Sequence, residues 1–215
     1  MVGGQWSIKS LIGEKQREII RNWLQSIPAF FYRNDLSKLA KLYGTDKYEH
    51  GYTEIYQTYF SKLKCEKLKI LEIGIGGGDN IKFGGNSLKM WAKYFTNSQI
   101  FGIDIFDKTL VDYRRIKTFQ GNQTDAVFLS QFQNLDIIVD DGGHINSEVI
   151  LSFEILFPKL KSGGLYCIED TQVSGTDGFH VPEFPSTLDY FNNIGSNNHV
   201  YKKWDYPKLI ILQKA

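Results

Sequence analysis

Cysteine is scarce in this chain. Only Cys65 and Cys167 are present, far apart and outside any CxxC pair, which excludes a disulfide framework and a thiolate zinc site and favours a reducing, cytoplasmic setting. No uninterrupted apolar run approaches the roughly 20 residues that span a bilayer. The opening MVGGQWSIKS has no signal-peptide h-region and no glycine at position 2 for myristoylation. An excess of one charge is lacking too: 25 Lys and Arg face 24 Asp and Glu, for a net charge of +1. That balance gives no electrostatic footprint for nucleic acid or an anionic membrane. What is present suits one globular domain, with 215 residues of which 42% are hydrophobic and 14% aromatic.

Ile8, Leu11, Ile12, Ile19, Ile20, Trp23, Leu24 and Ile27 recur at helical spacing from Ser7 to Ile27. They predict an amphipathic helix ending near Pro28 that packs on the main domain or on a second subunit. A domain boundary is placed there, with residues 1–34 a helical segment and 35–215 the main domain. Helices are expected from Asp35 to about Leu42 and from Thr53 to Leu63, flanking the loop GTDKYEHGY. From Lys69 onward short β-branched runs alternate with helical stretches. Strands are predicted at Lys69–Ile73, Gln99–Ile103, Asp136–Val139 and Gly164–Ile168, and helices at Ser87–Phe95, Thr124–Gln133 and Ser147–Lys159. This alternation implies an α/β fold of Rossmann-like type, a mainly parallel sheet with helices on both faces. Ligands in such folds bind at the carboxyl ends of the strands.

The first strand runs into Glu72-Ile73-Gly74-Ile75-Gly76-Gly77-Gly78-Asp79. Glycines there let the backbone turn sharply and approach a ligand. The dinucleotide fingerprint fails, because Asp79 stands where its third glycine belongs. The pattern E-x-G-x-G-x-G is complete through Glu72, Gly74, Gly76 and Gly78, and resembles the first motif of class I S-adenosylmethionine-dependent methyltransferases. Asp104, ending the second strand, either accepts hydrogen bonds from two ribose hydroxyls or caps a turn. Gln123 and Asp125 either contact the adenine side of such a cofactor or cap the following helix.

Asp140 and Asp141 end the third predicted strand, with His144 three residues beyond, and Glu169 and Asp170 end the fourth. Neighbouring strands lie about 5 Å apart, so Asp141, Glu169 and Asp170 could converge on one point. Bare carboxylates there would repel, and a hard divalent cation resolves the repulsion: Mg²⁺, with Ca²⁺ or Mn²⁺ as alternatives. His144 beside a metal-held hydroxyl suits a general base. Asp140 orients substrate or water, faces the cofactor, or caps the next helix.

GTDKYEHGYTEIYQTYF, LEIGIGGGDN, GGNSLKMWAKYF, GIDIFDK, TFQGNQTD, DIIVDDGGH, LFPKLKSGGLYCIED and YPKLIILQK together resemble the macrocin/mycinamicin sugar O-methyltransferase family. The resemblance implies methyl transfer from S-adenosyl-L-methionine to a sugar or glycoside hydroxyl, and a metal held by Asp141, Glu169 and Asp170. It also implies His144 as base, a cover over the cofactor from the segment Tyr48 to Tyr56, with Tyr52 and Tyr56 as contacts, and an antiparallel C-terminal strand. Relatives self-associate, so a homo-oligomer is expected. The segment from Thr171 to Asn198, 28 residues long, departs from the family and reads as a shortened lid. A cephalosporin-hydroxylase-like methyltransferase acting on a non-sugar hydroxyl is the nearest alternative. A non-catalytic S-adenosylmethionine-binding protein and a nicotinamide-dependent oxidoreductase are the alternatives of other classes.

Overall fold

The computed structural model describes residues 13–80, 83–194 and 199–215. Its centre is a seven-stranded sheet: β1 (Lys69–Ile73), β2 (Gln99–Asp104), β3 (Ile116–Gln120), β4 (Leu135–Asp140), β5 (Leu160–Glu169), β6 (Val200–Tyr206) and β7 (Leu209–Lys214). The order is β3-β2-β1-β4-β5-β7-β6, with β7 antiparallel to both neighbours and the first five strands parallel. The sequence pattern anticipates β1, β2, β4 and β5, and the family resemblance the antiparallel β7. It misses β3, read as part of a loop, and β6, whose burial is only partial.

Helices α1 (Glu14–Tyr32), α2 (Leu36–Tyr43), α3 (Tyr52–Phe60) and α4 (Asn86–Tyr94) precede the short α5 (Ala126–Leu129), α6 (Asn146–Leu156) and α7 (Thr187–Asn192). Side chains alternate between faces along a strand, and the core divides accordingly. Ile70, Val139, Cys167 and Ile211 share one buried cluster with Tyr56, Phe60 and Trp91 of α3 and α4. Leu71, Ile138, Tyr166 and Ile210 share another with Val149 and Phe153 of α6 and Phe191 of α7. The expected three-layer α/β fold is therefore present.

Two local expectations are corrected. The first helix does not end at Pro28 but carries it inside, running to Tyr32; a proline removes one intrahelical bond, and four more residues including buried Ala29 still continue the turn. Residues 7–12 of that expected helix lie outside the described residues, and Ile20, Trp23, Leu24 and Ile27 of its apolar stripe are exposed. The helix expected over 124–133 forms only at Ala126–Leu129, because the Phe132 amide turns back to the Leu129 carbonyl at 3.1 Å. Among the described residues no helix is long and apolar enough to cross a membrane.

Candidate active site

The strand register builds the site. Ile73 of β1 pairs with Asp140 of β4, and Asp140 with Ile168 of β5. The next residues in each strand, Gly74, Asp141 and Glu169, therefore emerge in one row at the carboxyl edge of the sheet. Two regions open from this row.

The first is a cleft of about 360 Å³ lined by Gly74, Gly76, Asp104, Gly121, Asn122, Gln123, Asp141 to Gly143 and Glu148, among others. Gly74 has φ +72°, and a Cβ there would lie 2.0 Å from the Asp141 carbonyl oxygen, so β1 can touch the β4 loop only through glycine. Gly76 also has positive φ, +73°, yet a Cβ there would meet nothing within 4 Å. Its bare backbone faces open space. Each Asp104 oxygen accepts one backbone N–H, from Ile75 at 3.2 Å and Phe106 at 3.0 Å, which leaves lone pairs for hydroxyl donors. Gln123 Oε1 accepts the Gly143 N–H at 3.0 Å, while its buried Nε2 has no hydrogen-bond partner. Such an orphan donor beside a cleft fits a ligand acceptor. The cleft thus suits an adenosine-bearing group through Gly74, Gly76, Asp104 and Gln123.

Other expected cofactor contacts fall elsewhere. Gly78 turns its carbonyl to Lys108 Nζ at 2.6 Å, and the same ammonium also donates to Asn80 and Phe83 carbonyls, so buried Lys108 shapes the loop. Asp125 caps α5, accepting from the Val127 and Phe128 amides. Glu72, Tyr52 and Tyr56 are buried in the second region rather than lining the cleft.

That second region is a knot of carboxylates around a lysine the sequence reasoning did not single out. Lys47, in the loop between α2 and α3, is 1% exposed. Its Nζ donates to Asp141 Oδ2 at 2.8 Å and to both Glu169 oxygens at 2.9 and 2.8 Å, and lies 3.0 Å from Glu72 Oε1. Burial alone would strip the lysine of its proton, but Asp141, Glu169 and Glu72 outweigh it and hold the ammonium charged, well above its ordinary pKa. Burial pushes the carboxyls of Glu72, Asp141 and Glu169 upward, against the pull of Lys47. Trp91 Nε1 donates to Glu72 at 3.1 Å and Tyr56 donates to Glu169 at 2.7 Å.

The three expected metal-binding acids therefore meet at two points, not one. Asp141 and Glu169 meet on Lys47. Asp141 Oδ1 and Asp170 Oδ2 instead approach His144 Nε2, at 3.8 and 3.5 Å, and one ligand atom from each of Asp141, His144 and Asp170 lies within 4.8 Å of the others. All three are partly exposed. His144 and Asp170 both adopt left-handed backbone, φ +56° and +54°, uncommon for residues with a Cβ and concentrated at this point. Burial works to raise the Asp170 pKa, but hydrogen bonds from Gln172 and Tyr52 and the nearby His144 and His50 outweigh it and hold the carboxyl below its ordinary value. Tyr52 donates to Asp170 Oδ1 at 2.7 Å and accepts the Asp170 amide at 3.0 Å. The partly exposed oxygen set of Asp141 and Asp170 fits a hard divalent cation.

Asp140 points the other way, because alternation along β4 sends it to the α6 face. It accepts from Ser152 at 2.6 Å and Tyr166 at 2.8 Å, and burial, opposed by those bonds, raises its pKa to about 6. None of the three roles expected for Asp140 is matched by these contacts. The segment after Asp170 is pinned from beneath by Asn146, which holds the carbonyls of Val181, Phe184 and Pro185 and the Val181 amide. Residues 195–198 of the expected lid lie outside the described residues.

No family model matches the chain. It is 44% identical over 151 residues to mycinamicin VI 2''-O-methyltransferase of Micromonospora griseorubida, covering 67% of this chain and 38% of that enzyme. It is 35% identical over 185 residues to 8-demethyl-8-(2-methoxy-alpha-L-rhamnosyl)-tetracenomycin-C 3'-O-methyltransferase of Streptomyces olivaceus, covering 81% of this chain and 47% of that one. Among solved structures, the MycE methyltransferase of the mycinamycin pathway, in complex with Mg, SAH and mycinamycin VI, matches with a TM-score of 0.78 at 36% identity. That match covers 84% of this chain and 54% of the other. The chain spans about half the length, or less, of these relatives.

Proposed function

Because the chain is a homologue of the sugar O-methyltransferases and carries their class I methyltransferase fold, we propose that it transfers a methyl group from S-adenosyl-L-methionine to a hydroxyl of a sugar or glycoside, with Mg²⁺. The observation that carries this reading is the meeting of His144 and Asp170 with Asp141, which itself lines the glycine-lined cleft. S-adenosyl-L-methionine would supply an electrophilic methyl, and Asp141 and Asp170, with Glu169 adjacent, would hold a divalent cation whose chemistry would be to lower the pKa of the acceptor hydroxyl and orient it.

The chain's own residues do the rest. Gly76 offers an unobstructed backbone, Asp104 two acceptor oxygens, and Gln123 an unpartnered donor, so the adenosine portion is held at the ends of β1 to β4. His144 Nε2, 3.8 Å from Asp141 Oδ1 and 3.5 Å from Asp170 Oδ2, takes the hydroxyl proton. Tyr52 grips Asp170 through both its side chain and its amide, fixing the edge of the site. Asp141 serves two purposes, with Oδ2 tied to Lys47 and Oδ1 turned to the reacting side.

The test is conversion of S-adenosylmethionine to S-adenosylhomocysteine against a panel of glycosides, with Mg²⁺ and with chelator. Mg²⁺-dependent turnover on at least one glycoside is expected. Turnover unaffected by chelator would remove the metal, and binding of the cofactor without turnover on any hydroxyl acceptor would favour the non-catalytic alternative.

A further inference from the structure

Lys47 has no role in the reading above beyond its grip on one oxygen of Asp141, yet it is the most enclosed charge at the site. We propose that Lys47 is a resident counter-ion and positioning residue. It holds Glu72, Asp141 and Glu169 together when no metal is bound, and it leaves Asp141 with a single oxygen for the metal side. The inference rests on the proposed metal-dependent reaction only for its second part.

The geometry supports both parts. Three carboxylates lie within 3.0 Å of one ammonium, and Glu72 and Glu169 are 0% and 3% exposed. Water cannot screen them, and carboxylates this close would otherwise force the strand ends of β1, β4 and β5 apart. One ammonium meets three carboxyl groups, and Asp170 adds a fourth beside Asp141, so the lysine alone does not match the acids gathered there. Lys47 is also anchored at its backbone: its carbonyl accepts the amides of Tyr52 at 3.0 Å and Thr53 at 3.3 Å, opening α3. Tyr52 and Tyr56 of that same helix hold Asp170 and Glu169. One short loop and the helix it opens thus carry the lysine and the two hydroxyls that hold the acids at the end of β5. Asp141 Oδ2 and both oxygens of Glu169 accept from Lys47, while Asp141 Oδ1 and Asp170 Oδ2 turn toward His144.

The test is thermal unfolding of the full chain, with chelator and with Mg²⁺, for wild type, Lys47→Met and the double variant Lys47→Met/Glu72→Gln. Removing one partner from a buried ion cluster is strongly destabilising, so Lys47→Met should lower the chelator-treated Tm by on the order of 10 °C for a chain of this length. Mg²⁺ should then raise the Tm of Lys47→Met by more than it raises that of wild type. The double variant should recover part of the loss, since its glutamine supplies an amide donor where a third carboxylate stood. If Lys47→Met does not fold, the double variant carries the test: its folding supports the counter-ion, and its failure overturns it. An unchanged Tm overturns the proposal. So does a loss that neither Mg²⁺ nor Glu72→Gln reduces, which would mark the lysine as packing alone. Mn²⁺ binding followed by electron paramagnetic resonance gives a readout free of turnover. Loss and recovery of Tm without any binding of Mn²⁺ or Mg²⁺ would keep the counter-ion while refuting the metal-dependent reaction.

Discussion

The two regions that open from the same row of strand ends solve opposite problems. The cleft over β1 and β2 is made by removing side chains: Gly74 permits contact with the β4 loop and Gly76 leaves space. Its polar groups, the Asp104 oxygens and the Gln123 amide, keep capacity in reserve. The knot over β4 and β5 is made by adding them. Lysine, tyrosine and tryptophan fill the volume, satisfy Glu169 and bond one oxygen of Glu72 before any ligand arrives. Where the two regions meet, at Asp141, His144 and Asp170, titratable groups are both gathered and partly exposed. A site can therefore be preorganised for a ligand by leaving groups unsatisfied at its mouth while satisfying those behind it.

Substitutions in each region put this contrast at risk. The greatest loss is expected at the junction: His144→Ala should cut kcat by about 10²–10⁴-fold, the usual contribution of a positioned base, while Mn²⁺ affinity stays near wild type. Equal loss of Mn²⁺ affinity would make His144 a metal ligand instead. Next is the glycine pair. Gly74→Ala puts a methyl against the Asp141 carbonyl and should cost roughly 3 kcal/mol of stability by denaturant unfolding. Gly76→Ala, with the same positive φ but open space, should cost about 1 kcal/mol. Equal losses would refute the distinction drawn between them. Gln123→Ala should weaken S-adenosylhomocysteine binding by calorimetry, by about 1 kcal/mol, with little change in Tm. The mildest is Asp125→Ala, which removes a helix cap worth about 1 kcal/mol of stability and should leave that affinity unchanged. A drop in affinity would return Asp125 to the cofactor site.

Much of the fold was legible because α/β order writes itself as alternating apolar periods, and β1, β2, β4 and β5 were read within a few residues. The lost elements are those whose patterns are weak: β3 carries exposed Lys117 and Gln120, and β6 alternates only between intermediate and exposed positions. At the site, glycine spacing and acidic strand ends singled out Gly74, Gly76, Asp104, Asp141, His144 and Asp170, all of which lie at the carboxyl edge of the sheet. The same pattern could have separated Asp140 from Asp141, since adjacent strand residues face opposite layers. It carried no signal for Lys47, which lies 94 residues from Asp141 and 122 from Glu169.

Local periodicity and residue type were enough to specify β1, β2, β4 and β5, the layering around them and the acidic residue types at their carboxyl ends. Which carboxylates are already neutralised, and which remain to bind, was settled by tertiary packing. That choice depends on a lysine brought from a distant loop into a buried space, where Coulomb interactions are strong and unscreened, and no local pattern records such a meeting.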